Sequence, residues 1–135
     1  MRAGTRTVGT LLVMSAALGA IWVVRLRHER DRVGAAIARV SVWPMGSGGT
    51  SMSDLLRRAH ALSAKAEIVW DGTLIDRRLD VVRLAARLTD SEGATLRYLF
   101  DVDLEQQRLL PANPRARWLV TAWPPQDLSS APRSD

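Results

Sequence analysis

Residues 8–24 read VGTLLVMSAALGAIWVV, and this stretch decides how the rest of the chain is organised. It contains no charged residue, and its most polar members are Thr10 and Ser15. An α-helix satisfies its own backbone hydrogen bonds and can therefore lie in lipid. At about 1.5 Å per residue the stretch would span roughly 25 Å, slightly less than a hydrocarbon core of about 30 Å. We therefore predict a transmembrane helix at residues 8–24, after an N-terminal tail at residues 1–7.

A cleaved signal peptide is the alternative for this stretch. Basic residues precede the apolar run, and residues 17–20 (ALGA) offer small side chains for a cleavage site. The apolar run continues beyond them to Val24, however, and this length favours an anchor. Within the anchor, Ser15 and Gly19 have the four-residue spacing that allows two helices to approach closely in a membrane, so they are candidates for an interface.

The composition limits the kinds of site that this chain can build. The sequence contains no cysteine, so it has no disulfide, thiol nucleophile or thiolate metal site. The net charge is +5, with 19 lysine and arginine residues against 14 aspartate and glutamate residues. Several arginines directly follow the apolar stretch, which is typical of a membrane flank rather than of a nucleic-acid surface. We therefore predict the membrane, and no nucleic acid, as a partner.

The same arginines leave the orientation of the anchor open. More of them follow the stretch than precede it, so the positive-inside rule favours a cytoplasmic C-terminal domain. They equally fit a helix that projects from the membrane. Residues 25–43 continue the helical pattern as a spacer, with Val33, Ile37 and Val40 on one seam that could pair with another helix. A helix lying on its own domain or on the membrane surface fits this seam equally well.

A flexible linker separates the spacer from a small domain. Pro44 stops the helix, and residues 44–52 are rich in glycine and serine. Ser53 is then a predicted N-cap, followed by an acidic residue in the first turn of a helix that runs to about residue 64. This helix has one apolar face, which predicts that it packs against a sheet.

Three short strands are predicted after this helix. Residues 66–70 form the first, closed by a turn at Asp-Gly 71–72. Residues 79–89 form the clearest strand, because apolar and arginine side chains alternate along it. Residues 117–123 form the last strand, and the proline-rich residues 124–135 form a disordered tail.

Residues 90–110 fit two structures. The apolar residues from Leu96 to Leu104 alternate as in a strand, yet they also fall on one face of a helix. Asp101 and Asp103 are poor strand residues, and the length of the stretch is ordinary for a helix. The residues by themselves leave open whether residues 94–104 are helix or strand.

The chain from residue 53 to residue 123 resembles the periplasmic domain of the M protein of type II secretion (GspM) and of PilO in type IV pili. The resemblance lies in a pattern of segments and not in a catalytic motif. The segments are residues 55–62 (LLRRAHAL), 82–89 (VRLAARLT), 96–100 (LRYLF), 104–110 (LEQQRLL) and 118–120 (WLV). In this family the segment at residues 91–109 would be a helix.

The resemblance implies a fold, a location and a role. The fold is α+β, with a single N-terminal transmembrane helix followed by a ferredoxin-like αββαβ domain at residues 53–123. The protein would be a single-pass protein of the bacterial inner membrane with a periplasmic C-terminal domain. It would be a non-enzymatic structural subunit of a type II secretion or type IV pilus platform. It would form a homodimer, or a heterodimer with a GspL-like or PilN-like bitopic partner.

An unpaired sheet edge would supply the interface of such a dimer. With three clear strands, at least one edge of the predicted sheet has no partner, and the last strand is the candidate edge. Its interface residues would be Leu119, Thr121 and Trp123.

A search for catalytic chemistry finds no convincing site. His28 and His60 have no second ligand at metal-binding spacing, and His60 is most simply a surface or boundary residue. We therefore predict no catalytic residue, metal or cofactor. Two alternatives remain. If residues 94–104 are a strand, a helix would pack on a curved antiparallel sheet, as in cystatin-like or NTF2-like modules that bind a small ligand or peptide. The second alternative is a cytoplasmic protein whose arginines tether it to anionic lipid or nucleic acid.

Overall fold

The computed structural model describes residues 4–128, and their side chains from residue 13 onward. The chain divides into two units, of which the first ends at Asp31 and the second begins at Arg32. In chain order the elements are α1 (Gly4–Ser41), β1 (Pro44–Met45), β2 (Thr50–Ser51), α2 (Met52–Ala59), β3 (Val69–Asp76), β4 (Val81–Thr89), β5 (Thr95–Asp103), β6 (Arg108–Pro111) and α3 (Pro114–Ala122).

The predicted transmembrane helix at residues 8–24 is wrong. Among the described residues, no helix combines the length and the apolar character needed to cross a membrane. The described apolar side chains run from Val13 to Val24, and α1 then continues through Arg25 and further charged residues. In the sequence the uncharged run covers the 17 residues 8–24, which is fewer than the about 20 apolar residues that a spanning helix needs. The side chains of residues 8–12 lie outside the described part. The same finding overturns the prediction of a single-pass inner-membrane protein with a periplasmic domain.

The second unit is α+β, but its order is not the predicted ferredoxin-like αββαβ. Its main sheet has four antiparallel strands in the order β3-β4-β5-β6, and each strand pairs with its neighbours along the chain. A ferredoxin-like domain places helices between strands as crossovers. Here the connections within the sheet are hairpins, so the helices come before and after the sheet.

The central strands β4 and β5 owe their position to side chains that alternate between an inner and an outer face. Residues at every second position face inward, where they form most of the hydrophobic core. These buried residues are Val82, Leu84, Ala86 and Leu88 of β4 and Leu96, Tyr98, Phe100 and Val102 of β5. The strand predicted at residues 79–89 is thus confirmed as β4.

The helix favoured for residues 91–109 is wrong, because this stretch forms β5, a turn and β6. The aspartates that argued against a strand both have partners outside the core. Asp101 accepts two hydrogen bonds from the guanidinium of Arg83 on β4, at 2.8 and 2.9 Å. Asp103 accepts one from the backbone N–H of Gln106 in the turn to β6, at 2.9 Å. Their charges therefore do not oppose the strand, and its apolar alternation decides the structure.

The last strand, predicted at residues 117–123, is also wrong. These residues lie in and just after α3, whose N-cap is Asn113 and whose first residue is Pro114. Both residue types are typical of these positions, since the asparagine oxygen accepts from a free N–H and proline needs no donor there. Leu119, one of the apolar residues that suggested a strand, is buried in the core as part of this helix.

Residues 44–52, predicted as a flexible linker, form the hairpin of β1 and β2 instead, in which Pro44 pairs with Ser51. Ser51 rather than Ser53 is the N-cap of α2, and its hydroxyl accepts from the N–H of Asp54 at 3.3 Å.

The Asp-Gly pair at 71–72 was predicted as a turn but lies inside β3. A side chain at Gly72 would meet a Leu84 methyl carbon at 2.5 Å and a Val33 methyl carbon at 3.1 Å. The glycine therefore allows close packing within the sheet and does not provide a turn.

Helices and the β1–β2 hairpin cover one face of the main sheet. Their buried residues are Ala36 and Val40 of α1, Trp43 and Met45 of the hairpin region, Met52, Leu55 and Leu56 of α2, and Ala116 and Leu119 of α3. The segment after α3 packs here too, because the Trp43 indole N–H donates to the Gln126 carbonyl at 3.0 Å. Residues 129–135 of the predicted tail lie outside the described part of the chain.

Candidate functional site

An open cleft of about 680 Å³ lies where the end of α2, β5 and the start of α3 meet. Its size falls within the range of about 300–1,000 Å³ that is typical of small-ligand sites. The residues that line it are His60, Arg97, Tyr98, Asn113, Pro114, Arg115 and Trp118.

Asn113 holds α3 against β5 and so forms one wall of the cleft. Its side-chain oxygen accepts from the N–H of Ala116 at 2.9 Å, as an N-cap, and from the N–H of Leu99 at 3.3 Å. Its side-chain nitrogen donates to the carbonyl of Arg97 at 3.0 Å. One side chain thus continues the hydrogen bonding of the sheet and also begins the helix. Because its oxygen accepts two hydrogen bonds and its nitrogen donates one, Asn113 positions α3 against β5.

His60 and Tyr98 form the floor of the cleft. His60 is the C-cap residue of α2, and its Nε2 shares a hydrogen bond with the Tyr98 hydroxyl. The Tyr98 ring is buried and stacks nearly parallel to Phe100, with ring centroids 6.5 Å apart. Arg115 lies over the Tyr98 ring, with its guanidinium carbon 5.9 Å from the ring centroid.

The charge states of the floor follow from its surroundings. Burial lowers the pKa of His60 below its usual 6.5, the Arg115 charge lowers it further, and Asp90 opposes both effects. Burial raises the pKa of Tyr98 above 10.0, against a hydrogen bond and a charge from Arg115. Both side chains are therefore neutral near pH 7. In the hydrogen bond between them, the tautomer of the His60 imidazole sets which of the two side chains donates the proton.

The walls of the cleft are cationic and aromatic. Arg115 contributes a guanidinium group, and no carboxylate is among the lining residues. The side chain of Arg97 projects from the face of β5 opposite to Tyr98, because neighbouring residues of a strand alternate between the two faces. The indole of Trp118 is 53% exposed and faces both this cleft and an adjoining groove of about 380 Å³ along α3. Trp123 braces this indole edge-on, with ring centroids 5.8 Å apart. The arrangement suits an anion that carries a flat apolar group.

The interface residues predicted from the sequence are not brought together in one place. Ser15 and Gly19 lie in the first unit, where both are exposed. In the second unit, Val40 and Leu119 are fully buried in the core of the monomer.

The remaining predicted interface residues differ in how far they are exposed to solvent. Val33 and Ile37 are partly buried against the core, whereas Thr121 and Trp123 are exposed at the end of α3. Which of them contact another chain stays a prediction.

The cleft residues were missed because they are far apart in the sequence. The sequence predicts His60 as a surface or boundary residue, and it places Tyr98 in an apolar pattern that fits both a helix and a strand. The one local signal was the pair Asn113-Pro114, which begins a helix in the structure but which we assigned to a loop.

Among the described residues, no group of three or more histidine, aspartate or glutamate side chains is arranged to hold a metal ion. His60 has Tyr98 as its neighbour and not a second metal ligand. The predicted absence of a cofactor stays a prediction, because an organic cofactor does not need such a cluster.

No family model matches this sequence, and neither a curated protein nor a solved structure matches it. The resemblance to the type II secretion M protein and to PilO therefore has no support beyond the sequence segments themselves. The function of the protein must be argued from the geometry of the cleft.

Proposed function

We propose that the second unit is a non-catalytic binding module, and that its cleft holds a small organic anion with a flat apolar group. The observation that carries this proposal is the lining of the cleft, which pairs the guanidinium group of Arg115 with the exposed indole of Trp118 and includes no carboxylate. The carboxylate or phosphate of the ligand would lie at Arg115. Its flat part would lie on Trp118.

Arg115 is suited to this role because it forms no ion pair in the structure with a carboxylate of the described residues. A guanidinium group presents a planar set of donors that matches the two oxygens of a carboxylate. Arg115 extends from α3, which Asn113 holds against β5, so the helix that carries this guanidinium group is already in place before an anion binds. A preformed site of this kind loses little conformational entropy on binding.

The strand at β5 also supports a binding module. The sequence left residues 94–104 open between helix and strand, and a strand is what the cystatin-like or NTF2-like alternative requires. The structural role in a secretion or pilus platform stays a proposal that rests on the sequence segments alone. No feature of the cleft favours it.

The proposal can be tested with a simple aromatic anion. We would titrate the full chain with 2-naphthoate by isothermal calorimetry and compare the uncharged 2-naphthamide. Because a hydrogen bond to a charged group contributes about 1.5–3 kcal/mol, Arg115→Gln should weaken naphthoate binding by about 10-fold or more. Trp118→Ala should weaken it by several-fold, since an aromatic contact contributes about 0.5–1.5 kcal/mol.

Arg108→Gln is the matched control for these variants. Arg108 is an exposed arginine of β6 outside the cleft, so its loss should leave naphthoate binding unchanged. Equal binding of naphthoate and naphthamide would contradict the role of Arg115. Equal binding by the wild type and by the Arg115→Gln/Trp118→Ala double variant would contradict the site itself.

A further inference from the structure

One edge of the main sheet, formed by β3, is open. β3 pairs with β4 on one side, and no strand among the described residues pairs with its other side. The opposite edge is β6, which has four residues and ends at Pro111. Short edge strands and proline are devices that prevent edge-to-edge pairing. β3 has eight residues and no proline, so it lacks both devices.

The sequence of this open edge is self-complementary. Residues 69–75 read Val-Trp-Asp-Gly-Thr-Leu-Ile, with Gly72 at the centre. At equal distances on either side of Gly72, a polar residue faces a polar one and an apolar residue faces an apolar one. The exposure of the side chains alternates along the whole strand, so residues at equal distances from Gly72 also lie on the same face of the sheet.

We propose that two copies of this chain pair through β3, antiparallel, with a two-fold axis at Gly72. The four-stranded sheets would then join into one sheet of eight strands. In an antiparallel pair of strands, a two-fold axis can pass between a residue and its own counterpart. This holds whether the two residues form a hydrogen-bonded or a non-hydrogen-bonded pair. The contact is isologous, because each copy uses the same strand, and the pairing therefore closes as a dimer.

The side chains fit this register on both faces of the strand. On the open face, Val69 of one copy lies opposite Ile75 of the second copy. These residues are 42% and 47% exposed in the monomer, so pairing would remove apolar surface from water. On the covered face, Trp70 lies opposite Leu74, and both are only partly buried in the monomer. The axis also brings Val33, which packs against Gly72, next to its counterpart in the second copy.

Charge does not oppose the pairing. Asp71 is the one charged residue between positions 69 and 75, and it lies opposite Thr73 of the second copy, whose hydroxyl can donate to it. Within each copy Asp71 already pairs with Arg87, at 3.0 Å. The register shift between Leu74 and Asp76 ends the regular ladder after this segment, which limits the length of the contact.

Cysteine cross-linking tests the register directly, because the chain contains no cysteine of its own. In the proposed dimer, cysteines at 69 and 75 of opposite copies have Cα atoms about 4.5–5.5 Å apart, which a disulfide can bridge. The Val69→Cys/Ile75→Cys double variant should therefore form a covalent dimer under mild oxidation. Either single variant should stay unlinked, since its two cysteines would be about 20 Å apart.

Sedimentation of the full chain provides the second measurement. At about 100 µM, where even a micromolar dimer is largely formed, we expect the mass of a dimer. Val69→Lys/Ile75→Lys should reduce it to a monomer by placing charges along the edge. Leu110→Lys is the control, because Leu110 is a similarly exposed apolar residue on β6. A monomeric wild type, or a dimer that the lysines leave intact, would overturn the proposal. Equal cross-linking of the single and double variants would overturn it as well.

Discussion

The Tyr98 hydroxyl of β5 and Nε2 of His60 at the end of α2 share a hydrogen bond, although the two residues are 38 positions apart in the chain. Their rings also meet edge-on, with centroids 5.9 Å apart. This contact joins the helix to the centre of the sheet and forms the floor of the cleft. Substitutions that break this contact should therefore change both the stability of the second unit and the binding of a ligand in the cleft.

Tyr98→Phe should lower the free energy of unfolding by about 1 kcal/mol, because it removes the hydroxyl and leaves the ring in place. The loss arises from Nε2 of His60, which loses its hydrogen-bond partner. Urea denaturation of the second unit in the full chain would measure it. In a His60→Gln background the same change should cost less, since the hydroxyl has already lost its imidazole partner. An equal cost in both backgrounds would contradict the coupling of these two residues.

Stability should fall as the pH decreases, in a window set by His60. The folded chain holds the pKa of His60 below 6.5, whereas in the unfolded chain it returns to about 6.5. Between these two pKa values the unfolded state binds more protons. The free energy of unfolding is therefore largest above pH 6.5, and it decreases as the pH falls toward the folded-state pKa.

Urea midpoints of the wild type and of His60→Gln, measured from about pH 8 to about pH 5, would test this titration. The wild type should lose more stability over this range than the variant does. Identical slopes would show that His60 titrates normally in the folded chain.

Gly72→Ala should destabilise the second unit by about 1–3 kcal/mol, as is usual for an overpacked core. The added methyl group would lie 2.5 Å from a methyl carbon of Leu84 and 3.0 Å from the backbone oxygen of Arg83, which cannot move freely. Gly34→Ala is the matched control, because nothing lies within 4 Å of a side chain there. In the helix interior this change should stabilise by roughly 0.5–1 kcal/mol. Thermal unfolding should give shifts of opposite sign.

Asn113→Ala should cost more than the loss of an ordinary N-cap. A cap residue contributes about 1 kcal/mol, and Ser51→Ala in α2 should cost about this amount. Asn113 also bonds to the backbone of Leu99 and Arg97, so its removal should cost about 2–3 kcal/mol. Asn113→Asp should fall between these values, because it keeps the accepting oxygens and loses the donor to Arg97. Urea denaturation would rank the three variants, and equal costs would contradict the bridging role of Asn113.

The sequence could predict those elements whose local pattern has one interpretation. Residues 79–89 alternate apolar and arginine side chains, and this pattern corresponds to β4 with its inner face buried. The pattern at residues 96–104 had two interpretations, and Asp101 biased the choice toward a helix. Asp101 is compatible with a strand because Arg83 of the neighbouring strand pairs with its carboxylate. A partner on another strand cannot be identified from local propensity.

The sequence by itself determined that the chain is α+β, that a long helix begins it, and that it has no thiol chemistry. The tertiary structure alone decided the hairpin order of the sheet, which removed the predicted ferredoxin-like topology. It alone brought His60, Tyr98 and Arg115 together from three separate elements. The physical reason is that periodicity reports which face of an element is buried, whereas the packing of separate elements decides which side chains share a site.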